Sequence, residues 1–176
     1  PRTSIVRVTN LNDSGSGSLR ECASMATPRT CIFDISGTIV LSSAIKIRAP
    51  YLTIAGQTAP SPGVMLRGAG LSISTHDVLI QHLQIRPGDD RSGPKPETRD
   101  GINVIGSPNA AFNVVLDHLS VSWSIDENVS TWYPNTHDIT ISNSIISEAL
   151  YNSIHPKGAH SMGLLVGDET QRISIH

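Results

Sequence analysis

The sequence predicts an all-β chain wound as a solenoid, and three observations lead to this fold class. The 176 residues suffice for one domain with a sizeable core but not for several. Twenty Ile and eleven Val against two Phe, two Trp and three Tyr favour strands packed through β-branched side chains. A strand-like segment also recurs along the chain. We therefore expect a single domain over residues 1–176.

The recurring segment has a polar entry followed by alternating apolar residues, which is the period of a β-strand. Its equivalent positions are Leu52, Val78, Val114, Ile139 and Ile173. The successive steps are 26, 36, 25 and 34 residues, so most of the variation is a lengthening of some coils. Such steps suit stacked coils whose insertions form loops.

The two ends of the chain differ in how they would close the solenoid. Ser18-Leu19-Arg20-Glu21 has the S-x-x-E form of a capping box, which predicts a short N-terminal capping helix through Met25. Arg172 to His176 instead has the pattern of a strand just begun, with no turn or helix behind it. Because a solenoid needs a cap at each end, we expect a domain that is incomplete at its C-terminus.

The charge balance excludes some partners. Thirteen Lys and Arg against fifteen Asp and Glu give a net charge of −2, so the chain has no basic field for nucleic acid. No apolar run approaches the roughly 18 to 20 residues that a membrane span needs. We expect neither nucleic acid nor a membrane as a partner, and we expect a monomer.

The two cysteines, Cys22 and Cys31, enclose a plausible turn at Thr27-Pro28-Arg29. This turn favours a disulfide between them, with two buried free thiols as the alternative. A disulfide would indicate a secreted, extracellular protein.

The repeat also aligns His82, His118 and Asn143 just after their strands. Polar side chains at a repeated corner are typical of a hydrogen-bonded ladder along the solenoid axis. The ladder explains both histidines more simply than a metal or acid-base role does.

Candidate chemistry lies where polar residues of successive coils would stack. Asp100 and Asp126 are 26 residues apart, about one coil, and Glu127 adjoins the second carboxylate. Neighbouring carboxylates repel unless a cation or a proton intervenes, and oxygen ligands favour calcium over zinc or copper. Two alternatives remain at this point: each carboxylate caps its own turn, or the pair performs glycoside hydrolysis.

One coil further along, Lys157 would bring a cation to the same side, although a solvated surface position explains a lone lysine equally well. His155 and His160 flank it. Neither histidine has a Ser or Cys nucleophile in a suitable setting nearby in sequence.

Seven motifs run through nearly the whole chain in a fixed order. They are Gly17-Ser18-Leu19-Arg20, Ile32-Phe33-Asp34-Ile35-Ser36-Gly37-Thr38-Ile39, Leu52-Thr53-Ile54-Ala55-Gly56-Gln57-Thr58-Ala59-Pro60, Arg99-Asp100-Gly101-Ile102, Val115-Leu116-Asp117-His118, Trp123-Ser124-Ile125-Asp126-Glu127 and His155-Pro156-Lys157-Gly158. This ordered set resembles family 1 pectate lyases. The resemblance implies a right-handed parallel β-helix and calcium-dependent β-elimination on polygalacturonate, an acidic polysaccharide.

The resemblance also implies roles for particular residues. Asp100 and Asp126 match the family's calcium ligands, Lys157 matches a lysine that contacts substrate carboxylates, and His155 would shape the same groove. The family's second acid in the Asp126 stretch falls on Ser130, and the acid two residues before Asp100 falls on Thr98. Glu127 or Glu97 would then complete the calcium site.

The family's proton-abstracting base is an arginine in an Arg-x-Pro setting one coil further on, and Arg172 does not match it. We therefore expect the catalytic arginine beyond His176 and assign no catalytic residue within the chain. Three hypotheses follow: a secreted pectate lyase, a β-helical binding or structural protein without catalysis, and a glycoside hydrolase on the same fold.

Overall fold

The computed structural model describes residues 3–176 and contains seventeen strands in three parallel sheets. The first sheet has the order β1 (Ser4–Val8), β2 (Arg29–Phe33), β5 (Leu52–Ala55), β8 (Val78–Gln81), β11 (Ala111–Asp117), β14 (Thr136–Ser142) and β17 (Gln171–Ile175). The second has the order β3 (Gly37–Val40), β6 (Val64–Arg67), β9 (Leu83–Arg86), β12 (Ser120–Ser122) and β15 (Ile145–Ser147). The third has the order β4 (Ile45–Ile47), β7 (Leu71–Ile73), β10 (Ile102–Ile105), β13 (Glu127–Trp132) and β16 (Met162–Val166).

From β2 to β16, each coil of the chain adds one strand to each sheet, so the predicted solenoid is confirmed as a parallel β-helix. In the first sheet, Leu52 pairs with Val78, Val78 with Val114, Val114 with Ile139, and Ile139 with Ile173. These are the positions that the sequence repeat predicts as equivalent. Their side chains, with those of the other sheets, form one continuous aliphatic core.

The predicted capping helix is α1 (Leu19–Ser24). Ser18 is its N-cap and accepts a hydrogen bond from Glu21 N, while the Glu21 carboxylate accepts one from Gly17 N at 2.7 Å. Leu19 and Ala23 are buried against the first coil. No helix in residues 3–176 is long and apolar enough to cross a membrane.

A disulfide joins the helix to β2. Cys22 and Cys31 lie 6.0 Å apart at their Cα atoms, and both are fully buried. The two cysteines therefore tie the cap to the first sheet, as the turn between them favours.

The side chain of Arg29 is fully buried beneath the same helix. Its guanidinium donates to the carbonyl oxygens of Ala23 at 2.7 Å, Ala49 at 3.0 Å and Pro50 at 2.8 Å. Burial lowers its pKa. Nothing in the sequence pattern predicts this buried cation, which satisfies carbonyl groups that would otherwise face the core.

The polar ladder at the end of the first sheet includes the predicted His118 and Asn143, and both bond Asp117, which the repeat does not predict as a member. His82 and His118 stack their rings 4.6 Å apart without bonding each other. The hydrogen bonds converge on the carboxylate of Asp117, which accepts from Gln81 at 2.9 Å and from Asn143 at 3.0 Å. The ladder is therefore centred on Asp117, with His118 Nδ1 2.8 Å from Asp117 Oδ2, and the ring of His82 stacks on that of His118.

Candidate functional site

A loop over residues 87–99 leads from the second sheet to the candidate site. Its anchor is Arg99, whose side chain is almost fully buried. The guanidinium donates to the carbonyl oxygens of Pro94 at 2.6 Å and Gly88 at 3.0 Å. Arg99 thus fixes both arms of the loop and sets the position of Asp100, which follows it directly.

Three carboxylates meet where the third sheet begins. The register pairs Ile102 with Val129, so Asp100 and Glu127 stand level, each two residues before its paired position. Asp126 precedes Glu127, and one oxygen of each of the three carboxylates lies within 4.8 Å of the others. Gly101 allows this approach, because a Cβ there would collide with Asn128 O and the Val121 side chain.

Two of the three carboxylates are largely enclosed. Glu127 is 6% exposed and Asp100 is 9% exposed. Burial, reinforced by Asp100 and Asp126, raises the pKa of Glu127 to about 9. Burial and the charge of Asp126 also raise the pKa of Asp100. The cluster therefore retains a proton at neutral pH unless a cation replaces it.

Two oxygens beside the three carboxylates have no hydrogen-bond partner, and they bear on whether a cation fits there. Asn103 donates from Nδ2 to Asp100 Oδ2 at 2.9 Å, which leaves Asn103 Oδ1 buried without a hydrogen-bond partner. Ser130 pairs with Asn103 in the sheet register, and its Oγ is also buried without a partner. Carboxylate, amide and hydroxyl oxygens form the donor set that calcium prefers. The residues present therefore fit a calcium ion.

The two residues suggested to complete the site have different positions. Glu127 lies within the cluster. Glu97 lies in a short 3₁₀ helix, Pro96–Thr98, and is exposed. Thr98 donates its hydroxyl to Lys95 O at 3.1 Å. Among the described residues 3–176, Glu127 forms a group with Asp100 and Asp126, and Glu97 does not.

Two stacked histidines cover the outer side of Asp126. The rings of His155 and His160 lie 4.1 Å apart, and His160 Nε2 is 2.9 Å from Asp126 Oδ1. Lys157 N donates to His155 Nδ1 at 3.2 Å, so the neutral ring carries its proton on Nε2, which faces Asp126 at 3.8 Å. His160 is therefore within hydrogen-bond distance of the carboxylate, whereas His155 is not, and Asp126, His155 and His160 form a second group whose ligand atoms lie within 4.8 Å of one another.

Lys157 lies in the turn that begins at His155 and is exposed. Within residues 3–176, its ammonium has no carboxylate within 4.0 Å. The ammonium is therefore available to a ligand approaching from solvent, although the structure shows no contact between Lys157 and the carboxylates.

Sequence reasoning missed three contributors to this site. Asn103 lies three residues after Asp100. A polar residue between the apolar Ile102 and Val104 of a strand is the sequence feature that indicates its outward position. His160 was considered only as a nucleophile's partner, whereas it bonds a carboxylate. Arg99 gave no signal, because burial of a loop arginine depends on the carbonyl groups that surround it.

A chain of stacked parallel coils with clustered carboxylates defines a β-helical protein with a candidate cation site, and its relatives are consistent with that class. No family model matches the chain. The protein named "Probable pectate lyase C" from Aspergillus fumigatus is 40% identical over 144 residues, which is 81% of this chain. The proteins of the same name from Aspergillus terreus and Emericella nidulans are 40% and 38% identical over the same length.

A solved structure is similar in fold. The crystal structure of Jun a 1, the major allergen from cedar pollen, has a TM-score of 0.67, with 23% sequence identity. The match covers 80% of this chain and 44% of that one. This likeness supports the right-handed parallel β-helix.

These similarities confirm the predicted resemblance, and the chain is homologous to the pectate lyases. It spans 32% of the length of the curated relatives that it matches.

Proposed function

We propose that the chain is part of a polysaccharide lyase that cleaves polygalacturonate by calcium-dependent β-elimination. The observation that carries this proposal is the group formed by Asp100, Asp126 and Glu127, whose oxygens lie within 4.8 Å of one another. Homology to proteins named pectate lyase supplies the substrate class. The buried, unpaired oxygens beside the group support an oxygen-liganded cation.

The three carboxylates and Asn103 Oδ1 would hold the calcium ion. Calcium bound there would neutralise a uronate carboxylate of the substrate and so acidify the sugar proton at C5. Asn103 and His160 hold the carboxylates of Asp100 and Asp126 in place through hydrogen bonds of 2.9 Å. The protein would thus present preorganised charge where negative charge develops on the substrate.

Lys157 would bind a neighbouring uronate carboxylate through its exposed ammonium. His155, which is buried, would support this role by holding the backbone of Lys157 through its Nδ1 atom at 3.2 Å. The expectation that an arginine beyond His176 acts as the base stays a prediction. We further propose a secreted protein, since the disulfide between Cys22 and Cys31 suits an oxidising compartment.

The proposal is tested by measuring unsaturated uronide released from polygalacturonate, with calcium and again with chelator. The assay uses the full-length polypeptide that contains these residues. In it, Asp126→Asn should abolish the unsaturated product. Asp168→Asn, an exposed acid outside the group, is the matched control and should leave the rate unchanged.

Other outcomes would favour the competing functions. Saturated products formed in chelator would indicate a glycoside hydrolase. Calcium binding without any product would indicate a β-helical binding protein, an alternative favoured by the replacement of acids by Ser130 and Thr98 that the family resemblance implies. Either result would overturn the lyase proposal.

A further inference from the structure

A second groove lies on the face of the second sheet, apart from the carboxylates. It has a volume of about 1020 Å³ and is lined by Val40, Met65, Arg67, Arg86 and Trp123, together with the first part of loop 87–99. The lining side chains come from β3, β6 and β9 and from the residue that follows β12. Asp100, Asp126 and Glu127 do not line it. The groove and the carboxylate group therefore have no residue in common, and the loop over residues 87–99 contributes to the groove.

Trp123 is the most distinctive residue of this groove. Its backbone has φ 64°, a left-handed conformation that is costly for a bulky side chain. Gly68, which follows β6 as Trp123 follows β12, takes the same region with φ 87°. A glycine would therefore suit this turn, and so does Glu148, which follows β15 with φ 52°. The backbone conformation thus does not by itself require a tryptophan.

The indole of Trp123 is held in a fixed orientation yet stays 45% exposed. Its Nε1 donates to Glu148 Oε2 at 2.8 Å. The guanidinium of Arg86 lies 5.6 Å from the ring centroid and is itself held by Ser120 O at 2.5 Å. The ring is thus a rigid apolar surface with little conformational entropy left to lose on binding.

The charges of the groove leave a positive group for a ligand. Asp13 is paired with Arg20, Asp89 accepts a hydrogen bond from Ser153 at 2.9 Å, and Asp90 accepts hydrogen bonds from Ser92. The hydrogen bonds from Ser92 and, to a smaller extent, the charges of Arg67 and Arg99 lower the pKa of Asp90. Arg67 stands beside Arg86 in the sheet register, about 4.8 Å away across the strands. Arg67 has no hydrogen bond or ion pair within the part of the chain that the structure describes, residues 3–176.

We propose that this groove binds a uronate-containing oligosaccharide independently of the calcium site. A pyranose ring would stack its C–H face on Trp123, and the carboxylate of a neighbouring sugar would pair with Arg67. Arg67 and Trp123 belong to different coils, so a bound saccharide would run along the helix axis. The choice of a uronate rests on the proposed function, whereas the aromatic surface and the unpaired cation rest on the structure alone.

The test measures the affinity of trigalacturonate by calorimetry in the presence of chelator. The protein carries Asp126→Asn, so that neither catalysis nor the calcium site contributes. Trp123→Gly removes the ring while suiting the left-handed backbone, and Arg67→Gln removes the charge. Each change should weaken binding about tenfold. Tyr51→Gly is the matched control, because Tyr51 is also exposed, has φ 60° and lies outside the groove.

Three results would overturn the proposal. They are a failure of trigalacturonate to bind the Asp126→Asn protein, an affinity that both groove changes leave unaffected, and equally tight binding of maltotriose, a neutral sugar. Failure of the lyase proposal gives a different pattern: the unsaturated product is absent while trigalacturonate still binds and is sensitive to Trp123 and Arg67.

Discussion

His160 Nε2 lies 2.9 Å from Asp126 Oδ1, and the ring of His155 stacks behind it at 4.1 Å. The histidine therefore restricts the rotation of a carboxylate that would otherwise be free on one side. Met162 N donates to Asp126 O at 3.1 Å, so the segment that carries His160 also holds the backbone of Asp126. This relationship makes His160 a positioning residue for the proposed calcium site.

His160→Leu should weaken calcium binding about fivefold, because it removes the hydrogen bond that orients Asp126. His160→Gln should recover part of the affinity, since its amide can donate to the same oxygen. Calcium titration by calorimetry measures both variants. Equal affinity in the wild-type and His160→Leu proteins would show that other groups position Asp126.

The pH dependence of stability should reveal the raised pKa of Glu127. The pKa of Glu127 is about 9 in the folded protein and 4.5 as its ordinary value, so the folded chain binds more protons between these values. Without calcium, this contribution to stability is complete below pH 4.5 and is lost as the pH rises through about 9. Urea unfolding at a series of pH values measures the loss.

Glu127→Gln should remove most of this dependence, because an amide resembles the protonated acid and does not ionise. At pH 8 without calcium, we expect the variant to be more stable than the wild-type protein by roughly 3 kcal/mol. Adding calcium should stabilise the wild-type protein more than the variant. A wild-type protein whose stability is flat from pH 5 to pH 9 would contradict the raised pKa.

The first sheet was predictable because its strands are aliphatic and repeat at one phase. Ile139 and Ile173 fall at positions that the sheet register pairs directly. The strands of the second and third sheets are harder to delimit, since many have only three or four residues, as in β7 (Leu71–Ile73). Short strands show little periodicity, and parallel pairing with earlier coils determines their limits.

The sequence predicts that Asp100 and Asp126 lie close together, but it does not predict which residue of the neighbouring strand stands level with Asp100. Counting one coil pairs Asp100 with Asp126, whereas Gly101 N donates to Glu127 O at 2.9 Å and makes Glu127 the level neighbour. The sequence offset between paired residues of the third sheet differs from that of the first sheet, because insertions fall in different turns of each coil. The buried arginines Arg29 and Arg99 were not predictable from periodicity. Arg29 bonds the carbonyl groups of Ala49 and Pro50 in a later turn, and Arg99 bonds those of Gly88 and Pro94 in its own irregular loop.

Ser130 offers a way to strengthen the proposed metal site. Its Oγ is buried without a partner beside Asn103, at a position where the family resemblance implies an acid. Ser130→Asp should increase calcium affinity about tenfold and lower stability without calcium, because a fourth carboxylate adds repulsion. Calcium titration and thermal unfolding in chelator measure the two effects.

Ser72→Asp is the matched control for that variant. Ser72 lies in the same row of the third sheet, on the far side of Asn103. Its substitution should leave calcium affinity near the wild-type value. If Ser130→Asp leaves affinity unchanged as well, Ser130 does not face the ion and its unpaired hydroxyl has another cause.

The buried guanidinium of Arg29 should be a principal source of stability at the N-terminal cap. Arg29→Met keeps the aliphatic bulk but leaves the carbonyl oxygens of Ala23, Ala49 and Pro50 without their donor. We expect a loss of about 3 kcal/mol in the free energy of unfolding, measured in urea. Arg7→Met is the control, because Arg7 pairs with Asp34 at 2.7 Å on an exposed surface, where such a pair contributes little. Equal losses in the two variants would show that the buried hydrogen bonds of Arg29 add nothing beyond a surface ion pair.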